Sequence, residues 1–280
     1  MHSYNETMPK LLAAVAAASL LSFVAYATAL PPSGDAASEA LAESPRHGES
    51  VAVPRGDGES PIVTYVAYPE RAEKAPVVIV IHEIFGQSDW IRGVADALAA
   101  EGYIAVAPDM LSGTGPDGGG TDSFDGGEVR EAIRKLTPEM VADRLDSVRE
   151  YATNLPAASG SVGVVGFCWG GSQSFNYATH VAEGDLQAAV VYYGTAPSDG
   201  LDNVAVPVLG LYGGDDARVT STVETTKEQM EALGKSFETN VYDGAGHGFL
   251  RQQDGRDGAN ATAAEQAWAA TLAFFKENLE

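Results

Sequence analysis

The sequence predicts a single α/β domain with a mainly parallel central sheet flanked by helices. Three observations carry that expectation. Strand-like and helix-like stretches alternate from about residue 51 to the C-terminus, the pattern of a parallel sheet with crossover helices. Residues 77–81 are an unbroken apolar run, Val-Val-Ile-Val-Ile, as expected of a strand buried on both faces. Gly166-Phe167-Cys168-Trp169-Gly170-Gly171 lies where a predicted strand passes into a predicted helix, at the sheet edge where sites of such folds form.

The elements follow in order. Val51–Val53, a Pro-Arg-Gly-Asp-Gly turn and Ile62–Tyr68 read as an opening β-hairpin. The apolar run 77–81 leads to a helix over 89–101 and a strand over Tyr103–Ala107, stopped by Pro108. Residues 112–127 are rich in Gly and Asp and read as a long loop, which in a compact domain is more often functional than not. Thr137-Pro138-Glu139 is a helix start: an N-cap, a proline at the first helical position and an acid in the first turn. The helix it opens presents Val141, Leu145, Val148, Ala152 and Leu155 on one face. Strand Val162–Val165, helix 169–182 and strands Ala188–Tyr193 and Val206–Tyr212 come next. One helix with Val219, Val223, Met230 and Leu233 in register precedes strand Phe237–Tyr242, and a last helix buries Trp268, Leu272, Phe275 and Leu279.

Residues 11–30 form an apolar run preceded by Lys10, and Ala27-Thr28-Ala29 is an A-x-A cleavage pattern. Residues 1–29 therefore read as an export signal; the alternative is a retained membrane anchor, since the run is long enough to span a bilayer. Residues 30–47, dominated by Pro, Ser, Gly, Ala and Glu, read as a flexible linker, and residues 48–280 as the domain. The expected location is outside the cytoplasm.

The 280 residues carry 39 acids against 17 bases, a formal charge of -22. Such a surface repels phosphate backbones, which argues against a nucleic-acid partner. Only six of the bases are lysine, a balance that suits solubility in high salt or, equally, an acidic protein from an ordinary host. The single cysteine, Cys168, excludes an intramolecular disulfide and a cysteine-cluster metal site.

G-x-C-x-G between strand and helix is the nucleophile-elbow pattern with a cysteine at its apex. Gly166 and Gly170 flank Cys168 because side chains there would collide across the turn, and the helix N-terminus favours a thiolate. The Trp169 amide supplies one oxyanion donor by elbow geometry. His247, in the Gly-rich loop 243–249 after a predicted strand, is the candidate base. Gly213-Gly214-Asp215-Asp216 offers two candidates for the acid that orients it, and spacing does not separate them. His82 ends a strand and reads equally as a satisfied core histidine.

These motifs, together with His82-Glu83-Ile84-Phe85-Gly86, resemble those of the dienelactone hydrolase family of the α/β-hydrolase fold, from about residue 48 to the C-terminus. The resemblance implies a Cys168–Asp216–His247 triad and a second oxyanion donor at the Ile84 amide. It implies that Glu83 contacts the nucleophile region and helps to generate the thiolate when substrate arrives; the alternative is a fixed partner for an arginine. It also implies that Arg251 and Arg130 bind a substrate carboxylate. Arg134 stands where dienelactone-specific members carry an aromatic hydroxyl, so the substrate stays open. The expected function is hydrolysis of a small ester or lactone by a monomer that needs neither cofactor nor metal. The alternatives are an exported general carboxylesterase and a non-catalytic binding protein on the same fold.

Overall fold

The computed structural model describes residues 30–56 and 58–280; the predicted export segment 1–29 lies outside them. Eight strands form one sheet: β1 (Gly48–Val53), β2 (Ile62–Ala67), β3 (Ala75–Ile81), β4 (Ile104–Pro108), β5 (Ala158–Phe167), β6 (Ala188–Tyr192), β7 (Val208–Gly213) and β8 (Phe237–Tyr242). Their spatial order is β1-β2-β4-β3-β5-β6-β7-β8. The six strands from β4 to β8 run parallel, and the β1–β2 hairpin closes one edge antiparallel to β4. Eight α-helices are described: α1 (Ala37–Glu43), α2 (Asp89–Ala100), α3 (Glu128–Ile133), α4 (Pro138–Thr153), α5 (Trp169–His180), α6 (Ala217–Thr220), α7 (Val223–Ala232) and α8 (Ala259–Leu279).

The period-2 alternation of the strands divides the core into two layers. Val77, Ile79 and Ile81 of β3, with Val162 and Val164 of β5, pack under α4 and α5 against Leu145, Val148, Phe175 and Ala178. Val78 and Val80, with Val165 and Phe167, face α2 and α8 and meet Trp90, Val94, Leu98, Trp268 and Phe275. Both faces of β3 are buried throughout, which is why its sequence is uniformly apolar. Thr137 caps α4 by accepting a hydrogen bond from the Met140 amide at 3.3 Å.

Three expectations need correction. The helix read through Val219 and Leu233 is two helices, α6 and α7, broken at Ser221–Thr222, and Leu233 lies beyond α7 and is exposed. β5 begins four residues earlier than expected, because Ala158 pairs with Ala75 although Ser-Gly-Ser carries no strand signal. Residues 30–47 are docked on the domain instead of forming a loose linker. The Trp90 indole donates to the Pro32 carbonyl (3.0 Å), Gly34 N–H to the Arg251 carbonyl (2.8 Å) and the Gln253 amide to the Pro31 carbonyl (2.9 Å). Gly93 leaves room for the Pro32 ring against α2, where a Cβ would sit 2.8 Å away. Ala37 of α1 is buried, and Arg46 pairs with Asp96. These contacts are to residues far along the chain, so local composition does not disclose them.

Candidate active site

The parallel strands end together at one edge of the sheet, and the candidate residues stand there. β5 turns directly into α5 at Cys168, whose backbone is held at φ 56° and ψ -114°. A non-glycine residue in that region is strained, and such strain clusters at functional sites. A Cβ on Gly166 would overlap the Gly170 carbonyl, and one on Gly170 would overlap the carbonyl oxygens of Ile81 and His82. Both glycines are required by close backbone approach.

The Cys168 thiol is partly buried. Burial, and after it the negative charge of Glu83, push its pKa up; the Trp169 amide and Arg218 act in the opposite direction. Burial and Glu83 thus favour the thiol and oppose the thiolate that the helix N-terminus favours. Desolvation outweighs that end of the helix here.

His247 follows β8 on its Gly-rich loop, and its Nδ1 lies 2.5 Å from Asp216 Oδ2. The Asp216 side chain is only 7% exposed, whereas Asp215 points outward and pairs with Arg256 at 3.0 Å, both about half exposed. The structure thus selects one of two adjacent aspartates as the imidazole's partner. An Nδ1–H donated to Asp216 leaves Nε2 as the basic nitrogen.

Glu83 does not rest on the sulfur. Its carboxylate accepts from Arg251 Nε at 2.6 Å, and the Glu83 side chain is 4% exposed. Burial raises the Glu83 pKa and Arg251 opposes the rise. A carboxylate this deep needs a partner, and here Arg251 is that partner. Arg251 and Arg130 both stack over the Phe85 ring, at 4.9 and 5.0 Å from its centroid. The two predicted carboxylate-binding arginines therefore converge on one aromatic ring, with Arg130 exposed on α3 and Arg134 exposed at the end of that helix.

Trp169 follows Cys168 as the first residue of α5, and Ile84 lies two residues after His82, whose ring stacks on the Trp169 indole. The long loop after β4 buttresses the Ile84 segment: Asp109 accepts from the Leu111 amide (3.0 Å) and from the amide and hydroxyl of Thr121 (2.6 and 2.7 Å), and the Thr121 hydroxyl accepts from the Gln87 amide (3.1 Å).

Tyr193 was not read from the sequence as a site residue. It follows β6 at φ 40°, is fully buried and packs against the His247 ring with centroids 5.0 Å apart; its hydroxyl lacks a hydrogen-bond partner. The available signal was Tyr192-Tyr193-Gly194 at the carboxyl end of a central strand. Among the described residues no group of three or more His, Cys, Asp or Glu side chains is arranged to hold a metal.

The profile of the dienelactone hydrolase family matches residues 62–279. The chain belongs to the dienelactone hydrolase family. A Salmonella typhimurium protein carrying the provisional name carboxymethylenebutenolidase is 32% identical over 273 residues, covering 89% of this chain and 97% of that one. Its Escherichia coli counterpart is 33% identical over 230 residues, 76% of this chain and 81% of its own. The crystal structure of a provisionally named dienelactone hydrolase from Klebsiella pneumoniae superposes with a TM-score of 0.71 at 31% identity, covering 82% of this chain and 98% of that one. This dienelactone hydrolase family member is thus an α/β hydrolase, and its class of chemistry is carboxylic-ester hydrolysis.

His82 gives this hydrolase a testable pH response. It is fully buried, and burial lowers its pKa while Asp109 opposes the shift. The unfolded chain takes up a proton near pH 6.5 that the native ring resists. The associated stability is present above that pH and is lost as pH falls, at up to about 1.4 kcal/mol per pH unit. Urea titrations at pH 7 and pH 5 should show a larger loss for wild type than for His82→Asn; an equal loss would contradict the buried neutral ring.

Proposed function

We propose that this enzyme hydrolyses a small ester or lactone bearing a carboxylate, with Cys168 as the nucleophile. The observation that carries the reading is the assembled His247–Asp216 pair at the same sheet edge as the strained elbow cysteine. His247 Nε2 takes the thiol proton as sulfur bonds to the carbonyl carbon, and the Ile84 and Trp169 amides receive the oxyanion. Collapse breaks the C–O bond, and the imidazolium returns its proton to the leaving oxygen. Water then attacks the thioester, giving one proton to His247; the C–S bond breaks and the sulfur is reprotonated.

The Glu83–Arg251 pair supports a substrate-gated form of this chemistry. A substrate carboxylate that engages Arg251 competes with Glu83 for the guanidinium, whose planar fork suits either. The released carboxylate adds its negative charge near the imidazolium that forms as His247 takes the thiol proton, and so helps to generate the thiolate. A thiol kept neutral until substrate arrives resists oxidation, which suits an enzyme acting outside the cytoplasm after cleavage behind Ala29, or tethered by residues 11–30.

The test is substrate charge. With a formal charge of -22, the protein repels an anionic lactone at long range, and salt screens this first, since the Debye length falls from about 30 Å at 0.01 M to about 3 Å at 1 M. Its kcat/KM should rise with salt while that of a neutral ester of similar size responds little. Arg251→Ala should keep the salt trend and lose most of the preference for the anion. An unchanged anion-to-neutral ratio in Arg251→Ala would replace this reading with that of a general carboxylesterase.

A further inference from the structure

His82 lies at the end of β3, fully buried, with one ring face on the Trp169 indole and a partner at each nitrogen. Its Nε2 is 3.2 Å from the Met110 amide nitrogen. A backbone N–H can only donate, so Nε2 accepts and the ring proton of the neutral imidazole sits on Nδ1. Nδ1–H then donates to the Glu83 carbonyl at 2.7 Å. That same carbonyl also accepts from Gly86 N–H at 3.3 Å, closing the turn.

The Glu83 carbonyl and the Ile84 N–H belong to one peptide unit. The unit is planar and trans, so its C=O and N–H point in opposite directions. Fixing the carbonyl toward the His82 ring therefore aims the Ile84 N–H the other way. The same imidazole stacks on the Trp169 indole, with centroids 5.4 Å apart and planes 21° apart. The His82 carbonyl also lies so close to α5 that Gly170 admits no side chain. One side chain thus touches both segments that carry the oxyanion donors, and the loop after β4, through Met110, fixes its tautomer.

We infer that His82 is a positioning residue for the oxyanion hole: it orients the Ile84 amide through the Glu83 carbonyl and braces Trp169 through its ring. This rests on the reading that Cys168 attacks a carbonyl whose oxyanion is received by these two amides. His82 itself touches neither substrate nor sulfur in this role.

Two variants separate the role from simple packing. Asparagine places its amide nitrogen where Nδ1 stands and can keep the bond to the Glu83 carbonyl, losing the Met110 contact. Glutamine reaches the Nε2 position and can keep the Met110 contact, losing the bond to Glu83. Each drops one hydrogen bond and the ring stack, so their losses in Tm should be alike. In kcat they should differ. His82→Gln should fall by about 10- to 100-fold with KM nearly unchanged, part of the 10²–10³ that a lost oxyanion donor costs, and His82→Asn should fall by clearly less.

Alkylation of Cys168 by iodoacetamide provides the internal control, because that reaction develops no oxyanion; its rate should stay close to wild type in both variants. If kcat falls equally in the two variants, in step with Tm, or falls in neither, the positioning role is overturned while the cysteine mechanism stands. If alkylation slows as much as kcat, His82 acts on the thiol and the inference is wrong. Failure of the underlying reading would show separately, as turnover that survives in Cys168→Ala.

Discussion

Cys168→Ala should lower kcat for ester and lactone hydrolysis by about four to six powers of ten, leaving only what binding and the oxyanion amides supply. The fold should survive. The side chain is small and partly exposed, and alanine meets the same positive-φ constraint as cysteine at that turn. Circular dichroism and thermal unfolding run beside the kinetics would establish this. A mutant within tenfold of wild type, with the fold intact, would remove the thiol from the chemistry. Because Cys168 is the single cysteine, iodoacetamide should reproduce the loss in the wild-type protein, and a substrate analogue should protect against it.

Asp216→Asn should cost about 10⁴ in kcat, the loss seen in a serine protease when the orienting carboxylate is replaced and the imidazole takes the wrong tautomer. The neighbouring substitution should be nearly silent. Asp215 is half exposed and pairs with an equally exposed Arg256, and such pairs contribute little. Asp215→Asn is expected to retain activity within about threefold, in keeping with a surface substitution away from the site. The reverse ranking would mean that the loop after β7 holds His247 in another way. The two variants differ by one position and one charge each, so net-charge effects on substrate approach cancel in the comparison.

The central strands were legible in the sequence because their burial is two-sided: a run such as 77–81 has no competing explanation on a half-solvated face. The elbow was legible because two glycines are demanded by backbone overlap, a constraint that composition records directly. The choice between Asp215 and Asp216 was legible only through the family resemblance and not from spacing, since both sit in one turn and differ only in which way the chain points them. The Glu83–Arg251 pair was legible only in part: an arginine partner for Glu83 stood as the alternative reading, but which arginine, 168 residues away, was not readable. The docking of residues 30–47 was hidden for a related reason. A Pro- and Ser-rich stretch reads as loose until Trp90 and Gln253, far along the chain, offer donors to its carbonyls. Tyr193 and His82 are buried polar side chains, and their place at a site depends on neighbours that no local periodicity encodes.

The central claim is that hydrolysis proceeds through an acyl group on Cys168. The most direct measurement is mass spectrometry of the enzyme acid-quenched during turnover of an ester with a hindered, slowly released acyl group. The account predicts one acyl group per chain, on the peptide that contains Cys168, labile to neutral hydroxylamine as a thioester is, and absent from Cys168→Ala. An acyl group on another residue, or sustained turnover with no acyl group anywhere on the chain, would contradict it.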